Sequence, residues 1–203
     1  MTDMTWLALM HLGDITLTLP AAAAVAAWLL ASRAWRMALC WSLLYLCGIG
    51  LVGASKIAFL GWGTGLPALG FKALSGHATG ATAVFPVLFY LLVRGHGAVL
   101  QRAAIAAGLV LGGLVATMLV AGAEHTLSEA IAGWTIGALV SLGCIRCVRH
   151  LPATPALHGL GFAVLAFAGV AWLVKSIPLG YWMARAALAL SGNDRLHPWD
   201  HCG

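Results

Sequence analysis

Side chains able to do chemistry are scarce in this sequence, and those with telling types and spacing gather in three short segments. Lys56 follows one long apolar run, Ser75-Gly76-His77 opens another, and Glu124-His125 with Glu129 opens a third. His125 and Glu129 stand at i,i+4, so on a helix they share one face, one turn apart. A carboxylate accepting a hydrogen bond from one imidazole nitrogen fixes the tautomer and leaves the other nitrogen a better nucleophile or base. Ser75-Gly76-His77 at a helix start offers unpaired backbone N–H groups and the positive dipole end, which suits an anion. His77 there can give a proton to a leaving group, and Lys56 can neutralise an anionic oxygen.

The elements that must hold these groups follow from composition. Of 203 residues, 62% are apolar and 8% charged, with mean hydropathy +0.95. A soluble domain carries roughly 25% charged residues. Eleven basic and six acidic residues cannot coat a water-facing surface of this size, so a soluble, disordered or disulfide-stapled secreted protein is excluded. The bilayer is the main solvent, at about 20 apolar residues per helical span.

Charge-free runs place six helices at Ile15–Ser32, Met37–Ser55, Ala78–Val93, Ala103–Ala123, Ala130–Ile145 and Gly159–Val174. Period-2 alternation over ten-residue segments is absent, which favours helices over a closed barrel. The expected fold is all-α: a polytopic membrane protein, a six-transmembrane-helix bundle, forming a single domain over 1–203. Met1–Asp14 lacks Lys and Arg, so the first run reads as an uncleaved span rather than a signal peptide. Ile57–Phe71 holds Gly61, Gly63, Gly65, Gly70 and Pro67, which predicts an interfacial or re-entrant loop. The tail from about 176 to 203 reads as interfacial, with a short apolar helix over Ile177–Leu190. Gly112-Gly113 and the Gly133, Gly137 pair predict close helix packing.

Arg33, Arg36, Arg94, Arg102, Arg146 and Arg149 fill the three loops of one side, while Asp3, Asp14, Glu124, Glu129, Asp194 and Asp200 fall on the other. The positive-inside rule puts the arginine loops in the cytoplasm and the chemistry-bearing segments outside. In a bacterial cell that is the periplasmic face of the inner membrane. Basic residues spread this way set orientation, and nucleic acid is not an expected partner despite a pI near 9.2.

Together these residues resemble the type 2 phosphatidic acid phosphatase superfamily, which includes integral-membrane lipid phosphatases. Its three motifs read Lys, six residues, Arg-Pro; then Pro-Ser-Gly-His; then Ser-Arg, five residues, His, three residues, Asp. Leu74-Ser75-Gly76-His77 is similar to the second motif, with Leu for Pro. His125 to Glu129, followed by Ala132-Gly133-Trp134, is similar to the third, with Glu for Asp. Lys56 fits the lysine of the first, and the resemblance covers about 56–143. Gly63 and Thr64 stand at the Arg-Pro positions, and Met118 and Leu119 at the Ser-Arg positions.

The resemblance implies that His125 attacks phosphorus to form a phosphohistidine, oriented by Glu129, while His77 protonates the departing lipid oxygen. Lys56, Ser75 and the Gly76 N–H would hold phosphoryl oxygens, with Lys72 as a replacement cation. It implies no cofactor and no metal, and a lipid phosphate or diphosphate of the bilayer, an isoprenoid carrier or a phospholipid, as substrate.

Two other readings stay open. Loss of both motif arginines fits a non-catalytic member that binds a lipid head group or a partner protein. Imidazole and carboxylate also suit a metal ion, which on this reading His77, His125 and Glu129, with Glu124, hold. His11, His96, His150, His158, His197 and His201 read as capped or interfacial residues, and Cys144 and Cys147 as apolar filling. Trp6, Trp35, Trp62 and Trp199 fit an interfacial belt.

Overall fold

The computed structural model describes residues 10–149 and 159–198. His150, His158, His201, Trp6 and Trp199 lie outside them. Seven α-helices appear in this order: α1 (Ile15–Ala31), α2 (Trp35–Trp62), α3 (Gly76–Leu92), α4 (Ala98–Ala121), α5 (Leu127–Val148), α6 (Leu160–Ser176) and α7 (Leu179–Ser191). No strand is present among the described residues, only a bridge between Leu66 and Phe71. The first six helices fall on the six charge-free runs, so the all-α expectation holds.

The span count is coarser than expected. Among the described residues three helices, α2, α4 and α5, are long and apolar enough to cross a membrane; α6 and α7 pass that test together but are bent by 58°. At 17 residues, α1 and α3 run about 25 Å, short of a hydrocarbon core of about 30 Å.

The glycine-rich loop expected over Ile57–Phe71 begins later than that. α2 remains helical through Trp62 and stops only where Gly63 turns left-handed at φ 64°. Gly61 is tolerated inside the helix because α7 packs on it: a Cβ there would stand 3.2 Å from the Ala187 carbonyl oxygen. Beyond Gly63 the chain is irregular, with a single 3-10 turn over Pro67–Leu69. α7 is the short helix expected in the tail, and it leans on the end of α2. There Asn193 Nδ2 donates to the Gly61 carbonyl at 2.7 Å and the His197 N–H to that of Leu60 at 2.8 Å.

α3 is the hub. It packs against α1, α2, α4 and α5. Small residues make this possible: Gly108 and Gly112 of α4 lie directly on Pro86 and Thr82 of α3. On α5, a Cβ at Gly133 would meet the Ser75 carbonyl at 2.6 Å, and one at Gly137 the Thr79 carbonyl at 2.6 Å. The expected glycine packing is therefore real: Gly112, Gly133 and Gly137 seat on α3, while Gly113 faces Trp134 of α5.

The apolar core lies toward the opposite end from the chemistry-bearing segments and joins Trp28, Met37, Trp41, Val87, Tyr90 and Ile145. Trp41 Nε1 donates to the Ala22 carbonyl at 2.9 Å, so its polar atom is satisfied where it is buried. At this end Arg94 donates to the Val148 carbonyl at 2.6 Å, closing the C-terminus of α5. Leu39, Leu43, Leu139 and Leu165 are exposed on the outside of the bundle, as lipid-facing residues should be.

Candidate active site

At the other end of the bundle, four chain segments meet: the approach to α1, the end of α2, the loop before α3, and the connector with the first turn of α5. Glu129 is the strut between the last two. It is 3% exposed, and each of its oxygens accepts two hydrogen bonds. Oε2 takes His125 Nδ1 at 2.8 Å and the Thr126 N–H at 3.2 Å. Oε1 takes the N–H groups of Lys72 at 2.9 Å and Ala73 at 3.4 Å. A buried carboxylate needs such satisfaction to stay ionised.

An ionised carboxylate only accepts, so His125 Nδ1 carries the hydrogen and Nε2 keeps its lone pair. Glu129 also completes a capping box with Thr126, whose hydroxyl accepts the Glu129 N–H. One side chain thus starts α5 and orients the imidazole. The main chain adds a second constraint. The N–H groups of Glu124 and His125 both donate to the Leu119 carbonyl, at 3.0 and 3.3 Å, with Ala123 turned left-handed at φ 57°.

His77 is the second residue of α3, whose start is capped by the Ser75 hydroxyl accepting from the Ala78 N–H at 3.4 Å. Its Nε2 stands 3.6 Å from Asp14 Oδ2, within ion-pair range and longer than a hydrogen bond. Asp14 Oδ1 accepts from the Thr16 N–H and hydroxyl, both at 2.7 Å, which caps α1. Burial pushes the Asp14 carboxyl up, but the two Thr16 hydrogen bonds and the nearby His77 and His11 outweigh it and hold it below its ordinary value.

A cavity of about 200 Å³ is lined by Met10, His11, Asp14, His77, Leu119, Glu124 and His125. It brings His77 and His125 together, as their types and order along the chain require. Lys56, Lys72, Ser75 and Gly76 are not in its wall. Lys56 stands behind the start of α3, where a Cβ at Gly76 would be 3.8 Å from its Nζ. Ser75 is fully buried and spends its hydroxyl on the helix cap, and Lys72 gives its main-chain N–H to Glu129.

Sequence reasoning missed Asp14 and His11 as wall residues. Asp14 before an apolar run signals a helix cap, but only tertiary packing brings it to His77. The Thr126 to Glu129 spacing is itself a capping-box signal in the sequence. Leu119, at a motif arginine position, contributes apolar surface to the wall. The metal reading finds little support in the geometry. Glu129 already accepts four hydrogen bonds, and among the described residues no group of three or more His, Cys, Asp or Glu is arranged to hold an ion.

Beside the cavity, an apolar groove of about 360 Å³ runs between α4 and α5, lined by Gly113, Ala116, Val120, Leu127, Ala130 and Trp134 among others. Its floor is fixed by Trp134 Nε1 donating to the Leu109 carbonyl at 3.1 Å.

The family model described as "PAP2 superfamily" matches residues 61–152, which include Ser75 to His77 and His125 to Glu129. A Klebsiella pneumoniae protein described as "Uncharacterized 22.5 kDa protein in cps region" is 34% identical over 177 residues, covering 87% of this chain and 81% of its own length. No solved structure matches. The breadth of that similarity, together with the family match over residues 61–152, shows that the chain belongs to the PAP2 superfamily.

Proposed function

We propose that this protein is a membrane phosphatase that hydrolyses a lipid phosphate or diphosphate through a phosphohistidine on His125. The observation that carries the reading is the 2.8 Å bond from His125 Nδ1 to a buried, fully satisfied Glu129, with His77 across the same cavity.

The chemistry balances with these groups. The His125 Nε2 lone pair attacks phosphorus, and the bond from phosphorus to the lipid oxygen breaks. His77 gives its proton to that oxygen, and Glu129 stabilises the cation growing on His125. Neutral His77 then takes a proton from water, whose oxygen displaces His125 and releases phosphate. Lys56, with Lys72, Ser75 and the Gly76 N–H, would stabilise phosphoryl oxygens once substrate draws the start of α3 and Lys56 toward it. The apolar groove between α4 and α5 receives an alkyl or isoprenyl chain, which keeps the scissile bond at the cavity mouth. The charge asymmetry of the loops supports a site on the periplasmic face of a bacterial inner membrane.

The second reading, a family member that binds a head group without turning it over, is favoured by one observation. Among the described residues the cavity wall carries Asp14 and Glu124 and no arginine. Phosphate release by purified protein, from a panel of lipid phosphates and diphosphates with and without chelator, separates the two. Chelator-resistant release that is lost in His125→Ala supports the phosphatase; no release from any substrate favours the binding protein.

A further inference from the structure

We propose that Asp14 is a positioning residue for His77, recruited from the chain segment before α1 and outside the three family motifs. The inference rests on the phosphatase reading and adds a residue to it.

Three observations fix Asp14 on His77. First, Gly13 lies against His77 so closely that a Cβ would stand 2.7 Å from the His77 carbonyl oxygen, 2.8 Å from its Cβ and 2.9 Å from Val115. Any other residue would push the segment away. Second, the same seam is locked one turn further on, where a Cβ at Gly80 of α3 would stand 2.7 Å from Thr18 Oγ1. The Thr18 hydroxyl is itself held by the Asp14 carbonyl at 3.0 Å. Third, the Asp14 carboxylate divides its oxygens: Oδ1 is held by Thr16, which aims Oδ2 at His77 Nε2, 3.6 Å away.

The consequence differs from that of the Glu129 pair. Glu129 binds the nitrogen of His125 that does not react, whereas Asp14 faces Nε2 of His77, the nitrogen proposed to give up its proton. It therefore holds the proton-bearing Nε2 toward the cavity until the leaving oxygen takes the proton. His11 from the segment before α1, and Glu124 from the connector before α5, are the other ionisable groups of this cavity wall.

Asp14→Asn tests this without removing the helix cap, because Asn caps as well as Asp. Turnover is measured on a long-chain alkyl phosphate and on p-nitrophenyl phosphate, whose leaving group needs no proton. Asp14→Asn should lower kcat on the alkyl ester by about 10–10², and on the nitrophenyl ester by less than about threefold. Asp14→Glu should recover part of the loss, and Asp14→Asn should add nothing to His77→Ala. Equal losses on both esters, or none on either, would overturn the proposal. Wild-type release that is lost in His125→Ala yet intact in Asp14→Asn defeats this inference alone. No wild-type release from either ester defeats the phosphatase reading and the inference with it.

Discussion

Replacing Glu129 by Gln keeps the side chain's shape and removes its charge, and the hydrogen-bond pattern sets the consequence. The carboxylate accepts from four N–H groups, two on each oxygen. A glutamine has one oxygen, so whichever way the amide turns, its NH₂ faces two donors. Each buried donor left unmet costs about 1–3 kcal/mol. With the Ala73 bond already long at 3.4 Å, the loss should settle near 2–4 kcal/mol.

The same substitution strikes the chemistry. If the NH₂ turns to His125, Nδ1 must accept and Nε2 must carry the hydrogen, so the lone pair that attacks phosphorus is gone. Imposing the wrong tautomer costs about 10⁴ in catalytic triads. If the NH₂ turns to Lys72 and Ala73, the tautomer survives but the anion opposite the growing cation does not. Turnover should therefore fall by about 10²–10⁴. Thermal unfolding in detergent and phosphate release read the two effects separately. Turnover within tenfold of wild type, with an unchanged unfolding temperature, would refute the view that Glu129 both braces this end of the bundle and sets the tautomer.

Four further outcomes are expected. Gly137→Ala should destabilise the protein by about 1–3 kcal/mol, because the new Cβ meets the Thr79 carbonyl at 2.6 Å; Gly50→Ala, with no atom within 4 Å, should not, and thermal unfolding compares them. Arg94→Ala should cost about 1–2 kcal/mol through its lost 2.6 Å bond to the Val148 carbonyl, yet leave turnover intact at the far end of the bundle. Glu124→Gln should lower KM for an anionic substrate by a few fold at low salt, an effect that added salt erases because the side chain is exposed. Asp14, held below its ordinary value when folded, gives stability that is full above its unfolded value near 4 and is lost as pH falls through the folded one. Asp14→Asn should flatten that acid limb in unfolding measured against pH.

The bundle was legible in the sequence because lipid imposes one rule on every segment: apolar, charge-free and helical. That rule located α1 to α6 within a few residues. It misjudged the end of α2, since Gly61 reads as a helix breaker locally but serves as the bed for α7. Of the site, His77, His125 and Glu129 were legible because their roles lie in side-chain type and local spacing. Lys72 was read as a cation, but the work visible in the fold falls to its main-chain N–H, to which the sequence offers no pointer. Asp14 and His11 escaped notice for a different reason. Their place in the cavity wall comes from Gly13 seating one segment on another distant in sequence, which no periodicity records.

The central claim is that His125 Nε2 is the nucleophile. Rapid acid-free quenching of the protein with a lipid substrate carrying labelled phosphate tests it most directly. The account predicts transient label on His125, stable to alkali and released by acid, absent from His125→Ala and strongly reduced in Glu129→Gln. Phosphate release by wild type with no labelled protein at any time, or equal labelling of His125→Ala, would contradict it.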